Sequence, residues 1–248
     1  LVTGGSGFFG FRLVNHLLEQ GYTVVTSVRS ENPNKVKKLY NLQEKYRDKL
    51  SICIADLMVL NSFDKPCSKV DVVMHTATPV ILDEIEDYEN QLYKPAVQGT
   101  QNILDSCLKS NKVKVIIYTS SVGTMASHYP DPGVYNESSW QQVDKLEDSP
   151  YHYSKIQAEK LFLKFIEDNP KFRGIVINPG AIMGPYTNYE LEMLSPYQVN
   201  NDFDNHVNNK IKLENYYKDY FPFIDVRDLA KAHELSMNNP NANGRFVL

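Results

Sequence analysis

The chain has 248 residues, 42% hydrophobic and 23% charged, which suits one large α/β domain and is far from the composition of a disordered chain. A formal net charge of -4 and only short, interrupted lysine clusters such as Lys35 to Lys38 leave no basic face for a phosphate backbone, which argues against nucleic acid as a partner. Cys53, Cys67 and Cys107 are odd in number and far apart, a pattern of neither zinc site nor disulfide framework, and they suit a reducing cytoplasm.

Leu1-Val-Thr-Gly-Gly-Ser-Gly-Phe-Phe-Gly10 runs straight into Phe11 to Gln20, where apolar residues at 13, 14, 17 and 18 repeat at helical spacing. Strand, glycine turn and helix follow one another. Gly4, Gly7 and Gly10 at these positions let a backbone turn tightly, approach a pyrophosphate and pack helix on strand, and the helix N-terminus offers free N–H groups to that phosphate. The competing reading is a glycine-rich loop with no ligand.

Gly21 ends the helix, and Tyr22 to Val28 is a β-branched strand. In dinucleotide folds an acidic residue after this strand holds the ribose 2′-hydroxyl, whereas an arginine accommodates a 2′-phosphate. Arg29 stands there, with Lys35 close behind, which favours NADPH; Glu31 nearby tempers this, and Arg29 as a solvated loop residue is the alternative. A polar helix over 35 to 49 precedes a strand at Ser51 to Ile54. Asp56, followed by Leu57, then serves either as an acceptor for an adenine amino group or as a plain helix cap.

The fourth strand, Val70 to His75, leads into Thr76-Ala-Thr-Pro79, whose small residues leave room for a nicotinamide dinucleotide across the strand ends. His75 reads as a packed strand residue, since no second histidine or carboxylate has ligand spacing to it, and no metal is expected. A long helix is expected from Tyr88 to Ser110, then a strand over Val113 to Thr119 ending in Ser120-Ser121. A hydroxyl there faces the cofactor crevice and suits hydrogen bonding to a substrate carbonyl, although a Ser-Ser pair after a strand is also ordinary turn chemistry.

Residues 123 to 150 read as a polar loop, after which Pro150 opens a helix carrying Tyr151 and Lys155, with Ala158, Leu161, Phe162, Phe165 and Ile166 as its buried stripe. A tyrosine and a lysine four apart share one helical face. A cation beside a phenol favours the phenolate and draws its pKa down from about 10, which is what a proton donor at neutral pH needs. Phe172 to Asn178 is the sixth strand and Pro179-Gly-Ala-Ile182 a turn bordering the nicotinamide. From 184 to 223 the periodicity breaks down into a substrate lid. Phe223 to His233 re-enters regular structure with Asp228 as its cap, and Phe246 to Leu248 starts a further strand. The domain reading is thus a dinucleotide-binding unit over 1 to 183, a lid over 184 to 223, and a return to the core over 224 to 248. The longest apolar runs are strand-sized, so neither a membrane span nor a leader before the first motif is expected.

Thr3-Gly-x-x-Gly-Phe-x-Gly10, Arg29, Asp56-Leu57, His75-Thr-Ala-Thr-Pro79, Ser121, Tyr151-x-x-x-Lys155 and Phe223-Ile-Asp-Val-Arg-Asp228, in that order, resemble the extended short-chain dehydrogenase/reductases over nearly the whole chain. Within them Asn136-Glu-Ser-Ser-Trp140 is similar to the group of dihydroflavonol reductases and fungal NADPH-dependent methylglyoxal or ketone reductases. The resemblance implies a Rossmann-type, doubly wound parallel sheet with a small, partly missing substrate region, since family members continue past this chain's end. It implies Tyr151 as general acid, Lys155 on the nicotinamide ribose and Ser121 orienting the carbonyl. NADP contacts are implied for Gly4, Gly7, Phe8, Phe9, Gly10, Arg29, Lys35, Asp56, Leu57, Thr76, Ala77, Thr78, Tyr151, Lys155, Pro179, Gly180, Ala181 and Ile182. Two departures stand out. Pro95 to Thr100 lacks the asparagine many relatives use in a proton relay, and Ser149 to Lys155 differs from the cinnamoyl-CoA reductase signature. The expected activity is reduction of an aldehyde or ketone, in the cytoplasm, by a homodimer pairing through the helices at 88 to 110 and 151 to 169. A nucleotide-sugar epimerase and a non-catalytic dinucleotide sensor are the alternatives.

Overall fold

The computed structural model describes residues 1–79, 86–126, 133–184 and 222–248, apart from the side chains of residues 33–35. In chain order these form α1 (Phe8–Glu19), β1 (Val24–Val28), α2 (Pro33–Lys45), β2 (Leu50–Ile54), a one-turn α3 (Asp64–Cys67), β3 (Val72–His75), α4 (Lys94–Lys109) and β4 (Val115–Thr119). After them come α5 (Pro150–Asp168), β5 (Arg173–Asn178), β6 (Ala181–Met183), β7 (Phe223–Asp225), α6 (Val226–Asn238) and β8 (Gly244–Val247).

The main sheet is parallel throughout. β1 pairs with β2, and β3, β4, β5 and β8 follow one another. The chain start joins the two groups: Val2 bridges Thr26 on one side and Met74 on the other, through Val2 N–H to Val25 O at 2.9 Å and Met74 N–H to Leu1 O at 2.7 Å. Strand order therefore reverses at residues 1–3, and the crevice of such a sheet lies above the carboxyl ends at that point.

Side chains alternate across each strand, and both faces are covered. Met74, Ile117, Ile175 and Ile177 point toward α1, α2 and α6, among Leu13, Leu17, Leu39, Val226 and Leu229. Val73, Ile116, Tyr118 and Val176 point the other way, against α3, α4 and α5, among Phe63, Ile103, Leu104, Ala158 and Phe162. Each such aliphatic side chain contributes about 1.5–3 kcal/mol relative to exposure. Two packed faces on one parallel sheet are the doubly wound architecture the sequence implies.

Several element boundaries differ from expectation. Helix α1 begins at Phe8, three residues before the periodic run, because extended Gly7 (φ −76°, ψ 166°) caps it without a side chain and brings Phe8, Phe9 and Gly10 into the first turn. The helix expected over 88 to 110 is two pieces, a π-type turn at Glu89–Tyr93 and then α4, with Pro95 in the first turn of α4 where a missing N–H costs nothing. The polar helix expected to reach residue 49 stops at Lys45, and Arg47–Lys49 form a separate 3-10 turn. Pro179 to Ile182 is not simply a turn: Ala181 to Met183 is β6, paired in parallel with β7 in a small second sheet. Asp225, rather than Asp228, caps α6, its carboxylate accepting from Arg227 N–H at 2.8 Å. The last strand starts at Gly244, two residues earlier than expected. The expected lid lies outside the described residues except at its two ends. Among the described residues no helix is long and apolar enough to cross a membrane.

Candidate active site

The glycine loop sits at the reversal point and is built around its own backbone. Gly4 has φ +70°, the left-handed region, and a Cβ there would press on Ala77 at 3.1 Å. A Cβ at Gly10 would run into the Gly4 carbonyl, so glycine at 10 lets α1 pack on the loop. Gly7 is different: its φ is ordinary, and a Cβ would meet only Gly4 O, at 3.3 Å. The fold demands less at position 7 than at position 10, where the Cβ would overlap the same carbonyl. A helix start whose cap residue, Gly7, lends no side chain fits a pyrophosphate, with the dipole of α1 toward it.

The facing wall, Thr76-Ala77, is fastened by Thr3. The Thr3 hydroxyl oxygen accepts from Thr76 N–H at 3.1 Å and Ala77 N–H at 3.0 Å, while the Thr76 hydroxyl donates to Thr3 O. Below it His75 bridges Thr3 and Thr100, both at 3.1 Å. The Thr100 hydroxyl donates to Ala96 O at 2.6 Å, so it receives Nε2–H of His75, and Nδ1 accepts from Thr3. Burial, with the Lys155 charge nearby, pushes the His75 imidazole down to about 3. His75 is therefore a neutral core histidine, as its spacing implied. The Thr78 hydroxyl oxygen is buried with no hydrogen-bond partner.

Tyr151 lies in the first turn of α5, half-buried, its ring edge-on to His152 at 5.5 Å between centroids. Lys155, one turn on, is buried at 2% exposure; its Nζ donates to Thr119 O at 3.0 Å and lies 5.2 Å over the Tyr118 ring. Burial pulls the Lys155 ammonium down to about 8, and the Glu159 carboxylate opposes part of that pull. Thr119 ends β4, so the lysine is moored two residues before Ser121. Ser121 is half-buried with extended backbone (φ −162°), and its Oγ accepts from Gly123 N–H at 3.1 Å, which leaves the hydroxyl proton to donate elsewhere. His152 packs directly over Gly123 on the same loop, its Nδ1 2.7 Å from Ser149 Oγ.

The structure brings Gly4, Gly7, Phe8, Phe9, Gly10, Thr76, Ala77, Thr78, Ser121, Tyr151 and Lys155 to the carboxyl end of the parallel strands. Pro179 and Gly180 follow β5 at the same end, with Pro179 O accepting from Val122 N–H at 3.0 Å. Ala181 and Ile182 belong to β6 beside them. Arg29 is exposed at the end of β1, and Lys35 falls in the first turn of α2. Asp56 closes a turn, accepting from Met58 N–H at 2.8 Å, and caps no helix, since the next one starts at Asp64 with Phe63 at its N-cap; Leu57 packs against Gly99 of α4. Sequence reasoning missed Glu159, Asn178 and Arg245, a buried polar cluster beneath Ser121. The signal available was Glu159 four residues after Lys155 on one helix face.

Comparison with known proteins places the chain among reductases in sequence and fold. The chain is 34% identical over 255 residues to dihydroflavonol 4-reductase of Callistephus chinensis, spanning 99% of this chain and 67% of that protein. To anthocyanidin reductase of Arabidopsis thaliana it is 35% identical over 260 residues, spanning 99% and 74%. Among solved structures, Gre2 in complex with NADPH from Candida albicans superposes with a TM-score of 0.80 at 29% identity, spanning 99% of this chain and 76% of that one. These relatives are the dihydroflavonol reductase and fungal reductase group that the motifs resemble. Over its full length, residues 1–248, the chain belongs to the NAD dependent epimerase/dehydratase family.

Proposed function

We propose that this chain is an NADPH-dependent reductase of an aldehyde or ketone carbonyl, with Tyr151 as proton donor. The observation that carries this reading is the moored pair on α5: Tyr151 half-buried at the helix start, and Lys155 buried one turn on and tied to the end of the strand that leads to Ser121. The reductase names of the relatives support the reaction class.

NADPH, when bound, supplies the hydride. Gly4, Gly7 and Gly10 with the start of α1 hold its pyrophosphate, and Thr76, Ala77 and Thr78 form the opposite wall. Phe8, Phe9, Asp56, Leu57, Pro179, Gly180, Ala181 and Ile182 complete its surroundings. Arg29, directly after β1 where an NAD-binding fold sets an acidic residue, and Lys35 receive the 2′-phosphate, with Glu31 the one carboxylate close by in sequence. Ser121 donates a hydrogen bond to the carbonyl oxygen and fixes its direction. The Tyr151 hydroxyl donates to the same oxygen and gives up its proton as the alkoxide forms. Below about pH 8 Lys155 is mostly charged, so at neutral pH its ammonium stabilises the phenolate left on Tyr151. Pairing of two copies through α4 and α5 belongs to the same proposal and is read from the mass in solution.

The test is NADPH absorbance with a panel of aldehydes and ketones. The proposal expects decay that requires a carbonyl and proceeds more slowly with NADH. A chain that keeps its dinucleotide tightly bound and interconverts nucleotide sugars, or one that binds NADPH and turns over nothing, would overturn it.

A further inference from the structure

Tyr151, Lys155 and Glu159 recur at four-residue intervals and so share one face of α5. Glu159 is fully buried and, among the described residues, is met by donors: at Oε2 by the Ser120 hydroxyl, the Thr124 hydroxyl at 2.8 Å and Asn178 Nδ2 at 2.9 Å, and at Oε1 by Arg245 Nε at 2.6 Å. Ser120 and Thr124 flank Ser121, and Asn178 Nδ2 also lies 3.2 Å from Ser121 O. Arg245, on the last strand, donates from Nη1 to Glu137 O and Ser139 O, both at 2.7 Å, and stacks on Trp140 at 3.9 Å. One carboxylate thus joins the serine loop, the segment before α5, α5 itself and the sheet edge.

We infer that Glu159, held by Arg245, is a positioning residue for this site: its carboxylate anchors the loop carrying Ser121 and is the counter-charge to Lys155. Among the described residues, the groups facing Lys155 leave that task to Glu159. Tyr118 on β4 is a phenol that burial holds protonated, His75 on β3 is neutral, and Tyr151 on α5 is the proposed acid. Glu159 is the carboxylate acting on the lysine, and it works against the burial that brings Lys155 to about 8. The consequence for turnover rests on the reductase reading; the charge relation does not.

The experiment follows the Lys155 side chain by carbon-13 NMR through a pH titration of the full chain without cofactor, assigned against Lys155→Met. Glu159→Gln should lower the Lys155 midpoint by about one pH unit. Arg245→Met, which leaves the carboxylate unshared, should raise it. The double variant Glu159→Gln/Arg245→Met removes both members of the Glu159–Arg245 ion pair, so neither is left buried without the other, and it keeps a folded readout; its Lys155 midpoint should lie below wild type. In kcat/KM profiles with NADPH and a reducible carbonyl, the basic limb should move the same way in each variant, because activity is lost as Lys155 deprotonates. Shifts in one common direction for both single variants, or a wild-type midpoint in the double variant, would reduce the pair to a structural brace. If wild-type protein reduced no carbonyl while the midpoints moved as expected, the reductase reading would fail and the pair would stand.

Discussion

Two buried neutral histidines make this fold sensitive to acid in a window where few other groups titrate. His75 is held between Thr3 and Thr100; His233 is fully buried on α6, its Nδ1–H donating to Leu229 O at 2.9 Å and its Nε2 accepting from the Thr119 hydroxyl at 2.8 Å. Burial pushes them from the ordinary 6.5 to about 3 and about 4. Between pH 6.5 and pH 4 the unfolded chain therefore takes up two protons that the folded chain refuses, and stability falls as pH falls. Each histidine costs about 1.4 kcal/mol per pH unit in that window, so both together cost about 4 kcal/mol between pH 7 and pH 5. Against a total of about 5–15 kcal/mol this is a large share. Urea unfolding from pH 7 to pH 4.5 reads it directly. His233→Gln, which keeps a donor and an acceptor, should lose stability at pH 7 yet shallow the slope by about 1.4 kcal/mol per pH unit. A slope that His233→Gln leaves unchanged would refute the assignment of a neutral buried imidazole.

The cofactor loop gives two contrasted expectations. Gly10→Ala drives a methyl into the Gly4 carbonyl and should cost about 1–3 kcal/mol of stability together with NADPH affinity, read by thermal melting and fluorescence titration. Gly7→Ala meets a milder 3.3 Å contact with the same carbonyl, so its melting temperature should fall less than that of Gly10→Ala while NADPH affinity drops about tenfold or more, as expected if position 7 is kept small for a ligand. Arg29→Glu should raise KM for NADPH at least about tenfold and leave KM for NADH much less changed; an unchanged NADPH value removes Arg29 from the phosphate site.

What the sequence made legible was whatever one stretch of chain decides by itself. The glycine spacing at 4, 7 and 10, the β-branched run before Arg29 and the Tyr151 to Lys155 interval each declare a local geometry, and the parallel sheet follows from strands alternating with helices. Residues whose partners are distant stayed hidden. Glu159 and Arg245 are 86 positions apart, and nothing local tells a buried glutamate on α5 from a solvated one. The β6–β7 pair is missed for the same reason, since three-residue strands are recognisable only once their partner is found. Asp225 and Asp228 are both cap-type residues, and only the backbone at the start of α6 decides between them.

The central claim concerns which phenol surrenders a proton. NADPH oxidation by Tyr151→Phe and Tyr153→Phe, beside NADPH binding to both, tests it most directly. Tyr153 sits on another side of α5, its ring 5.9 Å from Tyr93 on the neighbouring helical segment. Tyr151→Phe should bind NADPH as wild type does and lose turnover by about 100-fold or more, while Tyr153→Phe should stay close to wild type. Equal losses in the two variants, or a Tyr151→Phe protein of undiminished kcat, would contradict the account.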